Sequence, residues 1–482
     1  MTTTAITAHV LRDAGFAAGT VLVEGNRIAA VGLAPVDRAA LQARAAEHVD
    51  ATNCWLIPGL IDAHSHGYAT LLRGTENRLP LELWALYTVV YGPAYDEAAM
   101  RAAIMLGAAE RIRAGITGWI DHSPMVHLAD AALAAHAESG LRVCWAAFLH
   151  DVSDYTLMSL DLPPAVAQLA GGTPPLDAAA YARRFAELVQ EARPDRVSVM
   201  LGPNAPQRCS PAAWALWRDL RDRHGVGVHT HLMETRAQAV VGARWPGGLV
   251  AEMERQELLD DRLSVAHGIW LMPQERVVLA RHGVTLTHNP ASNLMLGSGI
   301  LPLTDSRAAG LALAIGTDSA NTGGRHDLFE AMRLAMMLPR VSEVGHEAWP
   351  TARDMLDMAI RGGATVLGRR ETLGRIAPGQ LADLVLVRRD AASTLALDGS
   401  EAALVQHGSP ETVEAVMVDG RWLMRDGRIT AFDEAAAIAA AKEALAWLRE
   451  STKATVDVVS EAIPGLAAQH RRQATAIAPV QR

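Results

Sequence analysis

Two histidines one residue apart, His64-Ser65-His66, follow the apolar run PGLIDA. On an extended strand residues i and i+2 face the same side, so both imidazoles can point into one site and share an ion. A lone His-x-His is equally a pair of packing histidines; its place at the end of an apolar strand favours ligands. In HTHLMET, His231 and Glu234 are three apart, which sets an imidazole and a carboxylate on the turn after a strand, while His229, one pleat deeper, reads as a buried, hydrogen-bonded histidine. Gly316-Thr317-Asp318 presents a carboxylate after another apolar run. An Asp there could also cap a helix, but its position opposite the histidines argues for a metal or base role. Three imidazoles and a carboxylate, with no thiolate nearby, suit Zn2+, Fe2+ or Mn2+ in a catalytic site that keeps one position for water. The expectation is one divalent ion, zinc first, held by His64, His66, His231 and Asp318. Such an ion lowers the pKa of water to about 7. Asp318 can then take the proton and Glu234 deliver it to a ring nitrogen or leaving group, while His267 of VAHG orients or polarises the attacked group.

These residues need a scaffold that brings distant segments together. From residue 57 to about 320 the chain repeats a short apolar run, a polar or histidine-bearing loop and an Ala-rich helical stretch. Eight such runs are predicted strands: Leu56 to Ala63, Ile116 to Ile120, Leu141 to Leu149, Val197 to Leu201, Val226 to Val228, Leu263 to Ala266, Val284 to Thr287 and Leu311 to Ile315. Eight βα units without a Gly-rich dinucleotide fingerprint indicate an α/β fold closed as a (β/α)8 TIM-like barrel over residues 58–369. Barrel chemistry sits at the C-terminal ends of the strands. His64, His66, His122, His150, His229, His231, His267, His288 and Asp318 all lie at or just past those predicted ends, a concentration that 18 randomly placed histidines would not show.

The flanks have period-2 strands broken by Glu24-Gly25, Asp419-Gly420 and Asp426-Gly427. Residues 1–57 and 370–430 therefore read as two parts of one small, discontinuous antiparallel β-sandwich module, and 431–482 as a C-terminal helix and tail. Within the latter, Glu434 to Glu450 is predicted helical, and the end beyond about Ala467 is expected to fray.

Half of the 482 residues are hydrophobic and a fifth charged, with a net charge of -9, and no basic stripe recommends nucleic acid. Cys54, Cys144 and Cys209 are far apart, which argues against a disulfide framework or a thiolate zinc site. The start of the chain lacks a basic region followed by an apolar run, and no stretch approaches the length that spans a bilayer, so a cytoplasmic protein without a membrane partner is expected.

Across nearly the whole chain PGLIDAHSH, LLRG, HLMET, VAHG, HNPASN, LGSGI, GTDSA, DLFEAMRLA and LGRIAPGQLADLVLV occur in one order. In this the sequence resembles the amidohydrolase superfamily, and within it the deaminase and chlorohydrolase branch of S-adenosylhomocysteine/methylthioadenosine deaminases, guanine deaminases and triazine hydrolases. The resemblance implies His64, His66, His231 and Asp318 as ligands and Glu234, His267 and Asp318 as catalytic residues. Binuclear members bridge two ions with a carboxylated lysine or a Glu after the fourth strand. Here the only lysines are Lys442 and Lys453, and the fourth strand runs into LGPNAPQRC, which favours a single ion. Asn204 stands where adenosine-type deaminases commonly carry a histidine, which weakens an adenosine substrate. Candidate substrate contacts are Arg73, Trp84, His122, His150, Asn204, Gln207, His288 and Asn293.

The function expected is hydrolysis at an sp2 carbon of a planar nitrogen heterocycle, or of a cyclic or aryl amidine or amide, releasing ammonia or an amine. A homo-oligomer acting on a small heterocyclic substrate is expected. Two alternatives stand beside this reading: a biosynthetic cyclase that closes a heterocycle with loss of water at the same site, and a non-catalytic binding protein on the same scaffold. Retention of Glu234, His267 and Asp318 argues against the last.

Overall fold

Strands Leu60–Ser65, Ile116–Ser123, Arg142–Leu149, Val197–Pro203, Val228–Leu232, Leu263–His267, Thr285–His288 and Ala312–Ile315 lie side by side in chain order. This is seen in a computed structural model that describes residues 3–170, 175–192, 195–342 and 345–476. Each pairing between neighbouring strands is parallel, and the first and last strands meet through a parallel bridge between Ser65 and Asp318, so the sheet closes into a barrel. Most of these strands are buried throughout, as expected where helices cover one face and side chains fill the other. The connecting helices begin where the sequence offers oxygen caps. Asp96, Asp177 and Ser210 accept from the backbone N–H three residues on, and Pro211 occupies the first turn where no donor is needed.

The predicted first strand spans two structures. Leu56 belongs to Glu47–Pro58, a strand of the other sheet, and the barrel strand begins only at Leu60. The chain changes sheets at Gly59, where a Cβ would sit 1.9 Å from Thr117 Oγ1, so only glycine permits the crossing. An unbroken apolar run hides such a change of partner. The fifth strand also starts two residues later than predicted and includes His229 and His231 rather than ending before them.

A second sheet joins both ends of the chain, in the spatial order Arg428–Ile429, Arg421–Arg425, Val413–Val418, Leu384–Arg388, Glu47–Pro58, Thr3–Arg12, Gly15–Glu24, Arg27–Gly32. Its core includes Ile6, Val21, Leu56, Leu384 and Met417. The sheet is mixed where an antiparallel one was expected, because Thr3–Arg12 pairs parallel with Glu47–Pro58. Two-residue hairpins form at Asp419-Gly420 and Asp426-Gly427, all four residues having positive φ, as twist-matched turns require.

The largest departure is at the C-terminus. One helix runs from Glu434 to Ala476, through Pro464 and far beyond the expected end. Val459 and Leu466 are buried with Leu83, Leu86, Tyr87 and Val90, so the tail is held by packing that its own Ala-rich sequence does not announce. Among the described residues no helix is long and apolar enough to cross a membrane.

Candidate metal centre and active site

The strand ends bring His64, His66, His231, His267, Glu234 and Asp318 into one buried cluster. Asp318 Oδ1 lies 3.4 Å from Nε2 of both His64 and His66, and His231 Nε2 lies 3.4 Å from His66 Nε2. His267 Nε2 stands between two carboxylates, 3.8 Å from Glu234 Oε2 and 3.8 Å from Asp318 Oδ2. Potential ligand atoms of His64, His66, His122 and His231 lie within 4.8 Å of one another, as do those of His64, His267 and Asp318.

The outer nitrogens show why the inner ones face the centre as lone pairs. His66 Nδ1–H donates to the His122 carbonyl at 2.5 Å and His231 Nδ1–H to the Asn204 carbonyl at 2.6 Å. His64 Nδ1 lies 2.7 Å from His229 Nε2, and His229 Nδ1 is 2.7 Å from Ser264 Oγ. A chain of donors running outward from His64 fixes its tautomer and leaves Nε2 unprotonated, the arrangement metal-ligating histidines adopt. His64 Nε2 is buried without a hydrogen-bond partner. This donor set fits a divalent cation, with His229 serving as the hydrogen-bonded support read from the sequence.

Backbone strain concentrates here. Met233, His267 and Asp318 have φ of 48°, 76° and 63°, in the left-handed region that costs a non-glycine residue about 1–3 kcal/mol. Asp318 is kept in place by the closure of the barrel. Its N–H donates to the His64 carbonyl at 2.8 Å, and its own carbonyl accepts from Ser65 Oγ at 2.8 Å. Beneath lies a network that sequence reasoning missed. Asp62 accepts from the Thr317 N–H at 2.8 Å and from Thr317 Oγ1 at 2.6 Å. Arg111 donates to Ser65 Oγ at 2.7 Å, with its guanidinium 3.6 Å above the Trp119 ring. Strand alternation gave no signal for Asp62, because a shift of register between Asp62 and Ser65 turns it to the outer face with Ser65 while His64 faces inward; nothing in the helical stretch around Arg111 offered one.

The two carboxylates are shifted in opposite directions. Burial, with Asp318, Glu82 and Asp154 nearby, holds Glu234 well above the ordinary carboxylate range. Burial acts on Asp318 in the same direction, but His64, His66 and His267 overcome it and hold that group well below.

Among the candidate substrate contacts, Gln207 is the most suggestive, since it is buried and neither amide atom has a partner. His288 is buried with Nδ1 unpartnered, and burial lowers its pKa to about 3. His150 is likewise lowered to about 3, by burial and by Arg208. His122 donates from Nε2 to the Gly202 carbonyl at 3.1 Å, with its ring centre 4.2 Å from that of Phe148. Trp84 is buried in helix Leu81–Tyr91 with its indole N–H unpartnered. Arg73 pairs with Glu110, and Asn204 offers its backbone carbonyl to His231.

Asn293 holds His267 in place, its Oδ1 accepting from Nδ1 at 2.8 Å. Asn293→Ala should therefore leave a buried N–H unsatisfied and free the ring to turn. We expect a loss of about 10- to 100-fold in kcat, the usual scale for removing such a support, with metal content unchanged by elemental analysis. An unaltered kcat would show that His267 needs no partner.

A closed barrel carrying a histidine and carboxylate cluster at the C-terminal ends of its strands defines a metal-dependent barrel hydrolase. The profile of the amidohydrolase family matches residues 55–423, and the chain belongs to that family. It is similar to the 5'-deoxyadenosine deaminase of Methanothermobacter thermautotrophicus, 32% identical over 91% of this chain and 97% of the relative. A 5-methylthioadenosine/S-adenosylhomocysteine deaminase of Desulforudis audaxviator is 31% identical over 90% and 95% of the two chains. Among solved structures, an adenosine deaminase from Xanthomonas campestris with bound zinc superposes with a TM-score of 0.82 at 28% identity, covering 93% of this chain and 98% of that one. The zinc complex of an atrazine chlorohydrolase from Arthrobacter aurescens, 22% identical with a TM-score of 0.82, covers 92% of this chain and 100% of its own and shares the fold. The protein is thus an enzyme acting on carbon–nitrogen bonds other than peptide bonds, of the deaminase type, in a metal-dependent family.

Proposed function

We propose that this enzyme hydrolytically deaminates an amino-substituted aromatic nitrogen heterocycle, with His64, His66, His231 and Asp318 holding one zinc ion. The observation that carries the reading is the pair of carboxylates on either side of His267, one pushed up by burial and the other pulled down by the histidines around it. Two carboxyl groups whose environments push them apart divide the acid and base work between them. When bound, the ion makes hydroxide available near neutral pH. Asp318 takes the proton released as the water attacks the amino-bearing carbon. Glu234, protonated at the outset, gives its proton to the adjacent ring nitrogen, so negative charge does not build up on the ring. His267 lies between them, beside the developing oxyanion. The carbon–nitrogen bond then breaks: the amine leaves as ammonia with the proton Asp318 took, the added hydroxyl returns its proton to Glu234, and an oxo group remains.

Gln207 presents one donor and one acceptor, the complement of the edge of an amino-substituted ring. The relatives' substrates make the adenine ring of a small 5'-modified nucleoside the first to test, although Asn204 departs from the adenosine-type pattern. Metal-quantified protein should release ammonia from 5'-deoxyadenosine, or from another amino-purine, pterin or triazine of the same screen. The product should carry oxygen where the amine was; chelation should stop the reaction and zinc restore it. A product formed by loss of water with no ammonia would overturn the assignment in favour of ring closure.

A further inference from the structure

The last turns of the C-terminal helix reach the segment that carries Glu234. His470 Nε2–H donates to Glu82 Oε2 at 3.1 Å, and Thr235 Oγ1–H donates to Glu82 Oε1 at 2.5 Å. Thr235 is the cap of helix Arg236–Gly242, where its Oγ1 accepts from the Gln238 N–H at 3.2 Å. Gln238 Oε1 in turn accepts from the Glu234 N–H at 2.9 Å. An unbroken series of hydrogen bonds therefore runs from residue 470 to the backbone of the acid itself.

The direction of each bond matters. With its hydroxyl proton given to Glu82, Thr235 has only lone pairs left to turn towards Gln238, so the cap is held in one rotamer. Glu82 is a buried carboxylate on an otherwise apolar helix, and it stays ionised against burial because His470 and Thr235 donate to it. A hydrophobic residue would pack there at lower cost, so the carboxylate is explained by what it holds. A second contact anchors the same end of the helix: Gln469 accepts from the Asp161 N–H at 2.8 Å and donates to the Asp161 carbonyl at 3.2 Å. Tyr87 and Ser460 hydroxyls, 3.1 Å apart, pin the helix further back.

We propose that the end of the C-terminal helix is part of the active-site wall, and that His470 is a positioning residue for Glu234, acting through Glu82 and Thr235. The inference rests on Glu234 being the acid. It accounts for why the chain continues as an ordered helix well past the sheet it has completed.

Two measurements test it on the full-length, metal-loaded enzyme. In hydrogen–deuterium exchange, His470→Ala should speed exchange across residues 234–242 while the barrel strands keep wild-type protection. In turnover of the best amino-heterocycle of the screen, His470→Ala should lower kcat about tenfold, short of the roughly hundredfold that an ångström of misplacement costs, with KM and metal content little changed. His470→Gln, whose amide can still donate to Glu82, should recover most of the rate. The double variant His470→Ala/Glu82→Gln should be no slower than Glu82→Gln alone, since both changes cut one chain. Wild-type exchange at 234–242, or losses that multiply in the double variant, would overturn the proposal. Glu234→Gln assayed alongside separates the two readings: wild-type rate there removes the acid itself, whereas a slow Glu234→Gln with a fast His470→Ala removes only the relay.

Discussion

Asp318→Ala should abolish turnover, with a loss beyond the roughly 10^4-fold that a single proton-transfer group contributes, or more than about 5 kcal/mol of barrier. The reason is that Asp318 serves three ends. Its Oδ1 faces the Nε2 atoms of His64 and His66, its Oδ2 faces His267, and its backbone closes the barrel against the first strand. Removing the carboxylate takes away a proposed ligand and the proposed base together, so metal content measured after dialysis should fall as well. Asp318→Asn separates the effects: an amide oxygen can still coordinate but accepts no proton at neutral pH. We expect that variant to retain more metal than the alanine variant and to be nearly as slow. Turnover within about tenfold of wild type for the asparagine variant would show that the base lies elsewhere.

Glu234→Gln should behave differently, keeping the full metal complement while kcat falls by roughly 10^2- to 10^4-fold. Glu234 faces His267 rather than the His64 and His66 nitrogens, and its environment favours the protonated form. Glutamine is close to isosteric with that neutral acid and can donate a hydrogen bond, so substrate binding should survive and the change should appear in kcat more than in KM. What is lost is the proton itself. A substrate whose ring nitrogen is already protonated near neutral pH should suffer less, which gives a check within the same variant. Equal losses on easily and poorly protonated rings would argue that Glu234 acts by position alone.

Much of the barrel and its cluster was legible because both depend on short-range pattern. A histidine after an apolar run needs only strand alternation to be aimed, and eight such runs in order define a closed sheet almost by count. What was not legible depends on partners distant in the chain. Asp62 stands two residues before His64, but an irregularity in the strand turns it to the other face, and its function appears only when Thr317 arrives from the opposite end of the barrel. The break at Gly59 is invisible in an unbroken apolar run, since it reflects the nearness of Thr117. The C-terminal helix outruns its expected end because an Ala-rich tail does not say what it will pack against; Leu83, Leu86 and Tyr87 decide that. Arg73 and Asn293, candidate substrate contacts from the sequence, each have a protein partner as well, Glu110 and His267, which no local pattern announces.

The seam between the first and last strands has a consequence for how the protein assembles. Strands one to eight follow each other along the chain, so seven junctions can form between sequence neighbours, and the eighth must join segments some 250 residues apart. That last junction is made by Ser65 and Asp318, the residues interleaved with the donor cluster, and is braced by Arg111. An ion drawn to the cluster would therefore bind only the closed ring and would favour it by mass action. Occupancy of the cluster would add to the stability of the closed ring, and the metal-loaded protein should unfold at a higher temperature than the same protein after chelation.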